Sequence, residues 1–133
     1  DFIPYILKLF FFSAVSPIAI IPAGWFFSKE ILHLCYGASF VDASPLFSLL
    51  LISFFFMIPN LVLTQATLAI NREIFYAKIT CVAALANIVL NFYLIPTMGA
   101  KGAAIGTIIT EGLVMILIGA GIFLWSRKLD LKQ

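Results

Sequence analysis

Long stretches without a formal charge set the pattern of this chain. Residues 9–28 carry none, nor do 43–71, 79–100 and 102–110. The run 112–126 is also uncharged, so Glu111 alone interrupts the last apolar stretch. About 20 mostly apolar residues in helical form cross a bilayer. The spacing therefore predicts four transmembrane helices over about 9–28, 46–69, 75–95 and 102–125. The fold class expected is all-α integral membrane. Its four helices form two antiparallel hairpins, within one segment covering residues 1–133.

Punctuation between the runs supports this division. In Pro96-Thr97-Met98-Gly99-Ala100-Lys101, proline is expected to stop the third helix and Gly99 to allow the reversal. Asn71-Arg72-Glu73 reads as a short turn. Residues 29–45 read as the longest polar connection, a loop in which Asp42 and Ser44 cap the next helix and Pro45 occupies its first turn. The first helix carries Pro17 and Pro22 and is expected to kink. The chain begins at Asp1 without a signal-peptide pattern and ends in a polar tail from Ser126 to Gln133; it reads as a fragment of something longer.

Composition excludes most alternatives. The 133 residues are 63% hydrophobic and 11% charged, with mean hydropathy +1.14, against roughly 45–50% and 25% in soluble domains. A net charge of +2 gives no basis for nucleic-acid binding. Cys35 and Cys81 fall too far apart in the topology for a disulfide, and their spacing matches no metal site. No Ser/His/Asp set, metal cluster or phosphate-cradling loop is present, so neither catalysis, a cofactor nor a metal is expected. His33, the one histidine, reads as a solvated or interfacial residue. Lys8, Arg72, Lys78, Arg127, Lys128 and Lys132 share one side of the four-helix topology, against Lys29 and Lys101 on the other. Positive charge collects inside, so both ends of the segment are expected in the cytoplasm.

Candidate chemistry lies on the last two helices. Tyr76, Thr80, Ala83, Ala84, Asn87 and Asn91 form a small-and-polar stripe on the third, while Lys78 points away as an interfacial anchor. On the fourth, Gly102 and Gly106 make a GxxxG face for helix packing. Glu111 lies on the opposite side, with Thr107 on its own face. Counting helical rise, Glu111 lies about 12 Å from the outer end and Asn87 about 18 Å from the cytoplasmic end. These levels coincide in a core about 30 Å thick. Asn87, or else Asn91, is therefore expected beside Glu111. Within a bilayer that carboxylate must be paired, protonated or wet. The candidate pathway residues are Glu111, Asn87, Asn91, Thr80 and Thr107. They either line a polar cavity for substrate or proton, or hydrogen-bond the helices together.

The stretch from 87 to 107 resembles a known family. Asn87, Leu90-Asn91, Leu94-Ile95-Pro96, Gly99, Gly102-Ala103-Ala104 and Gly106-Thr107 look like the polysaccharide-biosynthesis transporters. These are O-antigen and related lipid-linked sugar flippases of the multidrug/oligosaccharidyl-lipid/polysaccharide exporter superfamily. Leu34-Cys35-Tyr36-Gly37 with Phe40, and Leu68-Ala69 followed by Phe75-Tyr76, resemble that family's loop after the ninth helix and its next turn. The resemblance implies one part, around helices nine to twelve, of a twelve-to-fourteen-helix transporter with two lobes. The partners it implies are the lipid bilayer, an undecaprenyl-pyrophosphate-linked oligosaccharide and the missing N-terminal lobe. The location it implies is the bacterial inner membrane, and the mechanism alternating access. Cationic groups that hold the pyrophosphate in such proteins would lie in the missing part. A multidrug cation antiporter using Glu111 is the alternative within the superfamily. A glycan polymerase or acyltransferase subunit, or a purely structural membrane subunit, are the alternatives outside it.

Overall fold

The computed structural model describes residues 2–130, and side chains from 4 to 125. Five α-helices follow one another: α1 (Phe2–Phe26), α2 (Ser28–Tyr36), α3 (Ser44–Ala69), α4 (Glu73–Met98) and α5 (Ala100–Asp130), with a 3-10 segment, Ala38–Ala43, before α3. Four segments are long and apolar enough to cross a bilayer: Pro4–Phe26, Ala38–Ala69, Glu73–Met98 and Ala100–Trp125. All four overlap the apolar runs. Lys132 and Gln133, and the side chains of Arg127 and Lys128, lie outside the described residues.

The helices do not pack in chain order. α3 lies along both α1 and α5, and α5 also lies along α4; α3 and α4 meet only slightly. α3 and α5 are thus the inner pair. Leu63 of α3, Ile79 of α4 and Ile118 of α5 form the core cluster, with Phe10 of α1 against it. The outward faces remain apolar: Phe12 is 78% exposed and Phe92 74%. A soluble monomer rarely leaves so much contiguous apolar surface open, whereas a lipid-facing helix has no reason to hide it. Inside the helices, hydroxyls bond back to their own backbone. Ser48 donates to the Ser44 carbonyl at 2.9 Å and Thr67 to that of Leu63 at 2.8 Å, so these groups cost little in an apolar surrounding.

Several local expectations need correction. α1 starts at Phe2 rather than near residue 9. Pro4 falls in its first turn, where a missing N–H breaks no helical bond, so the helix runs past Lys8. Pro17 and Pro22 both lie inside α1, where the first span was expected to carry them. The connection 29–45 is not a loop: α2 and the 3-10 segment fill it. α2 hides one apolar side chain, Leu32, and exposes Lys29, Glu30, His33 and Cys35, the pattern of a short helix lying at an interface. Neither Asp42 nor Ser44 caps α3; Ser44 is already its first residue, and no side chain caps that end.

Pro96 does not stop the third span. α4 passes through it to Met98. The proline ring fits helical φ and removes only one bond near the end of the helix. Thr97 Oγ1 lies 3.1 Å from the Leu94 carbonyl. What ends α4 is Gly99, at φ 59 and ψ −139, a region open essentially to glycine alone. The expected six-residue turn is thus one residue between two helices. Gly99→Ala is expected to cost about 1–3 kcal/mol. Unfolding of the detergent-solubilised protein checks this, with Gly119→Ala as the control, since nothing lies within 4 Å of that position. At the other joint Asn71 takes φ 54, with Arg72 N–H bonded to Thr67 O and Asn71 N–H to Leu68 O. This paired motif closes the end of α3 before α4 begins.

Candidate functional site

Three helices supply the polar groups at the middle of the bundle. α5 carries Thr107, Thr110 and Glu111 on neighbouring positions; because successive helical residues turn by about 100°, Thr110 and Glu111 reach different partners. Thr110 faces α4. Its Oγ1 accepts from Asn87 Nδ2 at 3.2 Å, and Asn87 Oδ1 accepts from Asn91 Nδ2 at 2.9 Å. Glu111 faces α3. Asn60 Nδ2 donates to its Oε2 at 2.7 Å and to its backbone carbonyl at 3.0 Å. One amide thus holds both the side chain and the backbone of Glu111, and each such hydrogen bond contributes about 0.5–1.5 kcal/mol.

Asn87 lies beside Glu111 across the α4–α5 hairpin, on the wall of one cavity, but neither it nor Asn91 bonds the carboxylate. Asn87 bonds the residue next to Glu111, and Asn91 bonds Asn87. Asn60 of α3 makes the bond to the acid. The physical reason lies in helix order: α3 lies along α5 and barely meets α4, so the amide that reaches the acid comes from the earlier hairpin. The signal available was the residue type itself, since an asparagine inside an apolar run must find a partner.

Asn87, Thr80 and Thr107 do meet Glu111 across open space. A cavity of about 450 Å³ lies between α4 and α5, walled by Thr80, Ala83 and Asn87 from one and Thr107, Thr110 and Glu111 from the other. Asn91 stands beyond it. Thr80 and Thr107 hydroxyls bond carbonyls of their own helices, at 3.0 Å to Tyr76 and 3.1 Å to Ala103. Among the described residues lining this cavity, Glu111 is the one that can carry a charge. Two amide oxygens, Asn60 Oδ1 and Asn91 Oδ1, are buried without partners, but neither residue lines the cavity. The wall itself offers hydroxyls, an amide and a carboxyl group, chemistry suited to a proton, a cation or a hydroxyl-bearing solute.

The glycines give the asparagines their place. A Cβ at Gly106 would fall 2.9 Å from Asn91 Oδ1, and one at Gly102 would lie 2.6 Å from the backbone carbon of Leu94. The GxxxG face thus lies on α4, with the carboxylate turned toward α3. Lys78 is exposed, as are His33 and both cysteines, Cys35 and Cys81, which are free. No protein-family model matches the chain, and no curated protein or solved structure shows detectable similarity to it.

Proposed function

We propose that this chain is part of the second lobe of a membrane transporter, one that moves a lipid-linked oligosaccharide across the inner membrane of a bacterium by alternating access. In this reading the spans form two antiparallel hairpins, α1 with α3 and α4 with α5. Both ends of the segment face the cytoplasm, and another lobe completes the pathway. One observation carries it. The residues that resemble the flippase family from 87 to 107 are those with a physical task at the α4–α5 joint: the Asn87–Asn91 pair, the Gly99 reversal, and the close approach at Gly102 and Gly106. A cavity walled by amide, hydroxyl and carboxylate groups is also suited to hydroxyl-rich cargo.

Deleting the gene in its own host tests the reading. Surface polysaccharide should fall, and lipid-linked oligosaccharide should build up on the cytoplasmic leaflet, both restored by the intact gene. An unchanged surface glycan, with new sensitivity to organic cations, would instead support a multidrug cation antiporter. Glu111, as the chargeable group in the cavity, favours that second reading. Orientation has its own check. A membrane-impermeant maleimide added to intact cells should modify Cys35, which is exposed on α2. Modification only after permeabilisation would invert the topology.

A further inference from the structure

The end of the bundle away from the α3–α4 joint holds a second cavity, of about 570 Å³, within the roughly 300–1,000 Å³ usual for small-molecule sites. Lys29 of α2 and Lys101 of α5 both line it, although they stand far apart in the chain. The sole acidic group among its lining residues is Glu30. Ser28, Ser44 and Ser48 complete its polar wall. Ser28 and Ser44 are only 6% and 7% exposed. No hydrogen bond from either hydroxyl is found among the described residues, whereas Ser48 donates to the Ser44 carbonyl. Two unengaged hydroxyls of largely buried serines, lining the same space as two ammonium groups, are what an oxyanion needs: donors already in place and charge of the right sign. Trp25, 56% exposed at its wall, is the kind of side chain that settles at the level of lipid headgroups.

We propose that this cavity binds a phosphate group, held by the Lys29 and Lys101 ammoniums and the Ser28 and Ser44 hydroxyls. The inference is independent of the transport reading, because it needs neither a substrate nor the mid-bundle carboxylate. Position favours the phosphate of an anionic lipid headgroup, and free inorganic phosphate shares the same chemistry.

The test uses the full-length protein, equilibrated with mixed micelles of phosphatidylglycerol and phosphatidylcholine, with retained lipid read by native mass spectrometry. Phosphatidylglycerol should be retained over phosphatidylcholine. Lys29→Gln and Lys101→Gln should each lower that retention about fivefold, from the usual contribution of one basic residue near an anionic surface. Lys101→Arg should keep it. Ser28→Ala and Ser44→Ala should lower it without changing charge, and Lys78→Gln, on another cavity, should not. A second arm titrates inorganic phosphate, followed by 31P line broadening. Binding lost in the same lysine and serine variants supports the site with a free anion as occupant; lipid retention without it assigns the headgroup. Equal retention of the two lipids with no phosphate binding overturns the proposal. So does a loss in Lys78→Gln equal to that in Lys101→Gln, or full retention in both serine variants. Thermal unfolding of each variant separates loss of the site from loss of the fold.

Discussion

Gly102→Val is expected to part α4 from α5 and to cost about 3 kcal/mol, the upper end of what overpacking a tight interface usually costs. The magnitude follows from what the new atoms would meet. A Cβ at 102 lies 2.6 Å from the carbonyl carbon of Leu94 and 3.0 Å from its Cβ, and closer still to its carbonyl oxygen. Backbone within a helix cannot rotate out of the way as a side chain can. The helix must shift, and with it the Asn87–Thr110 bond. Gly106→Ala meets instead a movable amide, Asn91 Oδ1 at 2.9 Å. Its cost should be nearer 1 kcal/mol, about that of one neutral hydrogen bond. Unfolding in mixed micelles, read by tryptophan fluorescence, ranks the two. Equal costs would mean that α4 and α5 are not held as closely as described.

Asn60→Ala should be the second large effect, at about 2–3 kcal/mol, because it leaves the Glu111 carboxylate without the amide that bonds it. Glu111→Gln keeps an oxygen acceptor at the same place and should lose less than about 1 kcal/mol. The two variants therefore separate structure from function. If the acid serves ion or proton coupling, Glu111→Gln should fold normally and fail in transport. If it only ties α3 to α5, Glu111→Gln should transport normally while Asn60→Ala suffers. A double-mutant cycle between Asn60→Ala and Glu111→Ala should return a coupling of about 1–2 kcal/mol, within the range for residues in direct contact. A coupling near zero would remove Asn60 as the partner.

The spans could be read from charge-free length, because burying charge in lipid costs too much to be scattered at random. The polar stripe on α4 and the small residues of α5 were also legible, since period and residue size alone place them. Three features were hidden, each for its own reason. Pro96 reads as a stop from residue type alone, whereas near the end of a helix its missing N–H removes only one bond. Residues 29–45 read as a loop because their polar residues outweigh the one buried apolar side chain, Leu32, that gives α2 its hold. The Asn60–Glu111 pairing was hidden because helix order in space differs from order in the chain. Composition gives each helix a length but does not say which neighbour it takes.

That order also bears on how the chain is made. α4 finds its main neighbour only in α5, which follows it. Until α5 leaves the ribosome, α4 must wait in lipid carrying two amides. Asn91 donates to Asn87 within the same helix, so the waiting segment quiets part of its own polarity. Asn60 has no such partner in its own helix, which leaves α3 the needier of the two until Glu111 arrives. Arrest of translation after α4 but before Glu111 should therefore yield an intermediate that chaperones and membrane proteases can recognise.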